Sequence, residues 1–143
     1  MERRNNPAEL IKLAMDSIGV AVSIIDTEGT LLYYNNHAAK ILDRKPEYLG
    51  ENIHSHHKKP SSNRTVDLML QDFQKGRTEP FYYEVKPYGK IILVIVSPIL
   101  DNGRFIGCIQ SVLLKEDIES AARPDKDLDV ERGNNKSGAG NGK

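Results

Sequence analysis

The sequence predicts an α+β domain, a five-stranded antiparallel sheet with short helices on one face and an amphipathic helix at the N-terminus. Three observations carry that prediction. The stretch from Ile18 to Asn52 opens with two β-type apolar runs around a glycine-containing turn and passes into a short helical segment. In mid-chain, Val66, Met69, Leu70 and Phe73 recur at helical spacing. The remainder holds three strand-like runs, the last two joined by Asp101-Asn102-Gly103, a strong hairpin signal. Strands gathered at the two ends of the domain, with helices between them, satisfy one sheet covered on one side.

The elements run in order. Pro7 suits the first turn of a helix whose Leu10, Ile11, Ala14 and Met15 share a face, which would either cap the sheet or pair with a second copy of the chain. Val20 to Asp26 is the first strand, Asp26 to Gly29 the turn, and Thr30 to Tyr34 the second strand. Asn35 or Asn36 caps a short helix with Ala38, Ile41 and Leu42 facing inward, and Pro46 and Gly50 punctuate the segment after it. Residues 51–62 read as irregular. Ser61, Ser62 or Asn63 then caps a helix that runs to about Gln74 and stops at Gly76. Pro80 to Lys86, Lys90 to Leu100 and Arg104 to Leu114 are the closing strands, with a turn at Tyr88-Gly89 and an interruption at Pro98. The expected organisation is a helix over 1–17, a domain over 18–119, and a polar tail over 120–143 that is too poor in apolar residues to fold.

Composition narrows the function. A chain of 143 residues allows one domain with a real core. Lysine plus arginine and aspartate plus glutamate each total 20, so nothing in the net charge argues for nucleic acid or an anionic membrane. No apolar run nears the ~20 residues of a membrane helix, and the N-terminus, MERRNNPAEL, lacks an apolar signal core. The single cysteine, Cys108, excludes an internal disulfide and any all-cysteine metal site within one chain. A cytoplasmic location is the expectation. No nucleophile elbow and no phosphate-cradling loop is present, so the expectation is a protein that is not an enzyme, with a small lyase or isomerase as the remote alternative.

Over Ile18 to Glu119 the order of motifs resembles a PAS domain, a sensory module of signal transduction. Asp26, Gly29, Tyr34 and Asn35 look like the family's first hairpin, Ala38 like the alanine of its next helix, and Pro46, Glu47, Leu49 and Gly50 like its Pro-Glu-x-Leu-Gly step. Asp117-Ile118-Glu119 is similar to its exit, while Asp43 stands where a glycine is usual. The resemblance implies a small ligand or cofactor held between sheet and helices, whose state biases the terminal helices, and a homodimer or a separate effector protein as partner.

Three of the four histidines, His54, His56 and His57, cluster before the mid-chain helix, followed by Lys58 and Lys59. This placement resembles the haem-bearing PAS domains of gas and redox sensors, and implies haem b as cofactor and a diatomic gas as ligand. Haem needs an apolar slot, a nitrogen ligand and cations for its propionates. Ile92, Val94, Val96, Ile106, Cys108 and Val112 would line the slot, and Lys58, Lys59, Arg44 or Arg64 would face the propionates. His57 is the preferred iron ligand because it lies closest to the helix, with His54 sharing its side of a helical turn. Met69 is either a sixth, thioether ligand or ordinary core filling, and core filling is the simpler reading. The alternatives are a cofactor-free module for dimerisation or partner binding, a divalent metal on His-Ser-His-His, and an anionic metabolite held by the imidazoles and lysines.

Overall fold

The computed structural model describes residues 6–56, 60–86 and 89–122. Helix α1 (Pro7–Ser17) is capped by Asn6, whose side chain accepts from the Ala8 N–H at 2.9 Å, and Pro7 fills the first turn, where no N–H is needed. Strands β1 (Ala21–Ile25) and β2 (Leu31–Tyr34) form the first hairpin. Its turn is held by Asp26, whose carboxylate accepts from the N–H groups of Glu28 and Thr30, with Gly29 at φ +91°. Helix α2 (Asn36–Ile41), two 3-10 turns (Pro46–Tyr48 and Ile53–His56) and helix α3 (Pro60–Gln74) cross over. Strands β3 (Phe81–Val85), β4 (Ile92–Asp101) and β5 (Arg104–Leu114) come next, and helix α4 (Lys115–Ala122) leaves the sheet. The rest of the expected tail, from 123, lies outside the described residues.

All strands are antiparallel, in the order β2-β1-β5-β4-β3. The period of two gives each central strand two different faces. Ala21, Ser23 and Ile25 of β1, Ile92, Val94 and Val96 of β4, and Cys108, Gln110 and Val112 of β5 share the inner face by register. Val66, Met69 and Phe73 of α3 are buried in that core, as the helical spacing predicts. Phe73 is the largest fully buried side chain and meets Phe81 edge-on at 5.2 Å between ring centres.

Asn35 joins four elements at one buried amide. Its Oδ1 accepts from the Val22 and Ala38 N–H groups at 2.9 and 3.0 Å, the second bond capping α2. Its Nδ2 donates to the carbonyls of Met15 and Val20 at 2.7 and 2.9 Å, which tethers the end of α1. Asp16 adds to the tether, accepting from the Asn36 N–H at 3.1 Å. The whole amide is satisfied inside the protein, which is why so polar a residue can be 1% exposed.

Three details depart from the sequence reading. Helix α3 starts at Pro60, so Ser61, Ser62 and Asn63 lie within its first turn and not ahead of it; proline is suited to the first helical position because its missing N–H is unneeded there. Pro98 does not interrupt β4. The β3 partner ends at Val96, so Pro98 pairs only with β5, and its absent N–H falls on an open edge. Ile106 does not line the inner face. Leu100 pairs with Phe105 and Ile99 with Gly107, which leaves Ile106 as the extra residue of a bulge. The bulge changes the phase, so Phe105 turns in against Phe73 at 5.5 Å while Ile106 is 42% exposed. Asp43, at the position where the resembled pattern has glycine, takes the left-handed φ of +56° that explains the usual preference.

Candidate functional site

The space between α3 and the sheet is a chamber walled by Ile25, Val96, Cys108 and Gln110 below and by Ile53, Val66, Met69 and Leu70 above, with Tyr83 at one side. Its roof is set by backbone bonding from the first hairpin. Gly50 N–H donates to the Leu31 carbonyl, Leu31 N–H to Glu51, and Ile53 N–H to Gly29, so the segment 50–53 lies along β2 like an extra rung. Asn52 completes the clamp, donating to the Glu28 carbonyl and accepting from the His54 N–H. The 3-10 turn is thereby locked with Ile53 pointing in.

The chamber encloses about 20 Å³. That is room for about one water molecule, whereas ligand sites for larger molecules run to roughly 300–1,000 Å³. Ile53, Val66, Met69 and Phe73 are packed into the buried core. As the described residues stand, haem b does not fit. A haem would enter only if α3 lifted off the sheet.

Among the described residues the expected ligands part, since Met69 lines the chamber and His54 does not. The His54 Nε2 donates to Asp67 Oδ1 on α3 at 2.9 Å, at a half-buried surface position. In the sequence Asp67 looks like an ordinary solvated carboxylate, and no acidic residue adjoins the histidines; the fold supplies that neighbour. Still, among the described residues no group of three metal-ligating side chains gathers. Met69 is in the core at 6% exposure, and Arg64 is exposed on α3. His56 ends the 3-10 turn, while His57, Lys58 and Lys59 lie outside the described residues.

What the fold does bring together beside the chamber is a polar cluster that the histidines overshadow in the sequence. Gln110 lines the chamber from β5, and Ser23 stands directly opposite it on β1, on the same face. Arg44, in the loop after α2, donates through Nη2 to Gln110 Oε1 at 3.2 Å. Ser23 Oγ and Arg44 Nε are both buried without a hydrogen-bond partner. Burial pulls the Arg44 guanidinium below its usual pKa, with Tyr48 acting the other way, and among the described residues no carboxylate pairs with it. A signal for the cluster is present in the sequence: Ser23 and Gln110 are polar residues at inward positions of otherwise apolar strands.

Cys108 forms the chamber floor at 1% exposure. Burial pushes its thiol from the ordinary 9.0 up to about 12. The folded protein therefore holds a proton that the unfolded chain releases above pH 9. Stability is intact below that pH and falls as pH rises towards 12, by up to about 1.4 kcal/mol per pH unit. Urea titrations between pH 8 and pH 11 should show this slope in the wild type, and Cys108→Ala should reduce it, leaving above pH 10 the part that comes from Tyr83 and Tyr33, whose phenol pKa values burial also raises.

A second, open groove of about 280 Å³ lies between α3 and β3, with Leu68, Asp72, Phe81 and Tyr82 on its walls. β3 is an edge strand, and Tyr82 is 71% exposed.

The family model for the PAS domain matches residues 11–115, from within α1 to the first residue of α4. The chain belongs to the PAS domain family. Solved structures agree on the fold. The PAS domain of BvgS from Bordetella pertussis superposes with a TM-score of 0.63 at 18% identity, covering 87% of this chain and 97% of that one. A C-terminal domain from Streptococcus mutans gives 0.62 at 22% identity, over 78% and 88%. A sensory box sensor histidine kinase from Vibrio cholerae gives 0.56 at 14% identity, over 73% and 88%. No curated protein matches the sequence. In this PAS domain the chamber is the space between sheet and helices. Among the described residues no helix is long and apolar enough to cross a membrane.

Proposed function

We propose that this PAS domain is a cytoplasmic sensory module of signal transduction that works by binding and not by turnover. A compact ligand occupies the chamber, and a second copy of the chain is the partner that reads it. One observation carries this reading: β5 serves both faces of the sheet. Cys108 and Gln110 point into the chamber, while Ile109 and Leu113 alternate to the outer face. There they join Ile24, Leu93 and Ile95 in an apolar surface left half-buried. The same strand runs directly into α4, with the Lys115 N–H still bonded to the Ile91 carbonyl. A shift of β5 on ligand binding is thus felt at the outer face and at α4 together.

α1 extends the same kind of surface. None of its residues is buried, and Leu10, Ile11 and Leu13 are 50% or more exposed. Of its two expected roles, capping the sheet or pairing, this exposure favours pairing. Haem b and a diatomic gas are not part of this reading, because the chamber is too small for the macrocycle.

Sedimentation equilibrium tests the pairing. The full chain should be dimeric at micromolar concentration, and Ile109→Glu on the outer face should make it monomeric with an unchanged far-ultraviolet circular dichroism spectrum. A wild-type chain that stays monomeric at high concentration would rule out a second copy as the partner.

A further inference from the structure

We infer that the open groove between α3 and the edge strand β3 docks a short extended peptide of a partner protein. The peptide adds a strand to the sheet and presents to α3 an apolar side chain and a lysine or arginine, two residues apart.

Two features of the fold meet at this place. β3 ends the sheet: among the described residues its only strand partner is β4, so alternate residues of Phe81–Val85 turn their N–H and C=O groups to an open edge. Beside that edge lies the groove of about 280 Å³, with Leu68 and Asp72 of α3 on one wall and Phe81, Tyr82 and Tyr83 on the other. Leu68 is 54% exposed and Tyr82 71%, so the apolar surface here is open to a partner. Unpaired backbone groups beside an apolar slot are what an extended peptide needs. The ladder supplies affinity, and the slot selects alternate side chains.

Arg77 sets where the added strand stops. Its guanidinium lies 3.7 Å from the centre of the Phe81 ring and donates to the carbonyls of Glu79 and Pro80. Pro80 itself has no N–H to offer. The edge is therefore closed ahead of Phe81, and the peptide is limited to about the five residues of β3.

The helix wall sets the chemistry. Leu68 and Asp72 are about 6 Å apart along the helix axis, and alternate residues of a strand are about 6.6 Å apart on one face. A side chain seated on Leu68 thus puts its next neighbour on that face at Asp72. Asp72 is the only charged residue among those that line the groove, and its carboxylate makes no ion pair among the described residues. An apolar residue at the first position and a cation at the second complement the pair. β3 itself, FYYEV, holds no lysine or arginine, so a second copy laid edge to edge on this strand lacks the cation.

The test is a solution NMR titration of the isotope-labelled full chain with acetyl-Lys-Val-Leu-Val-Lys-amide. Its lysines stand two residues to either side of the leucine and so serve either strand direction. Saturable shifts are expected at the backbone amides of β3 and the methyl groups of Leu68. Asp72→Asn, a change at an exposed position, should weaken binding by about two- to fivefold, the scale of one exposed ion pair. The analogue with glutamate in place of both lysines should bind more weakly than the parent, and the parent peptide N-methylated at its internal amides should not saturate. Equal binding of the lysine and glutamate peptides would overturn the basic partner. Undiminished binding of the N-methylated peptide would overturn strand addition. Absence of saturable shifts at both β3 and Leu68 with the lysine peptide would overturn the docking site. Shifts of the β3 amides with chain concentration alone would assign the edge to a second copy and overturn the peptide.

Discussion

Asn35→Ala should lower the free energy of unfolding by about 3 kcal/mol or more, the largest loss expected from a single polar residue in this chain. Four side-chain bonds disappear together, and the Val22 and Ala38 N–H groups and the Val20 and Met15 carbonyls lose their partner. Each buried group left unsatisfied costs about 1–3 kcal/mol, offset in part where water can enter. At about 4–8 °C per kcal/mol for a domain of this size, the melting temperature should fall by roughly 10–20 °C. The loss should also be local: amides at the end of α1 and the start of α2 should exchange fastest, because the tether between those helices has gone. Asp16→Ala is the control. It removes one exposed bond to the Asn36 N–H and should cost about 1 kcal/mol or less. Equal losses in the two variants would mean that Asn35 is not the hub of this junction.

Gly107→Ala should be comparably severe for a different reason. A Cβ at Gly107 would lie 2.6 Å from the Ile25 carbonyl oxygen, which is backbone and cannot swing aside. Relief requires β1 and β5 to part where Ile25 pairs with Cys108, next to the bulge and at the chamber floor. Overpacking of this kind costs about 1–3 kcal/mol and sometimes more. Gly103→Ala separates sterics from backbone preference. Gly103 takes a left-handed φ of +82° but has nothing within 4 Å of an added Cβ, so only about 1 kcal/mol is at stake. Urea unfolding of the two variants should rank Gly107→Ala well below Gly103→Ala, and the reverse order would refute the close approach.

Most of the fold was legible because local chemistry and burial agree. The alternation of Ile92, Val94 and Val96, the helical stripe of Val66, Met69 and Phe73, the Asp26–Gly29 turn and the Asn35 cap each satisfy a local rule and a core position at once. The misreadings fall where a partner element decides the outcome. Pro98 is harmless only because β3 stops at Val96, and Ile106 turns outward only because β5 bulges against β4. The candidate site was less legible. A histidine cluster stands out in a sequence, but the clamp made by Asn52 and the hairpin points Ile53 inward, and His54 pairs with Asp67. Ser23, Arg44 and Gln110 come from three distant segments, and only the β1–β5 register and the reach of Arg44 bring them together.

The functional reading stands or falls with the size of the space between α3 and the sheet, a chamber of about 20 Å³ that is closed to a macrocycle. An absorption titration of the full chain with ferric haem probes that size in solution. The spectra should track free haem at every addition, with no saturation. A Soret band that saturates at one haem per chain, and that is lost in His54→Ala or His57→Ala, would show the chamber to be far larger than this and would return haem to the site.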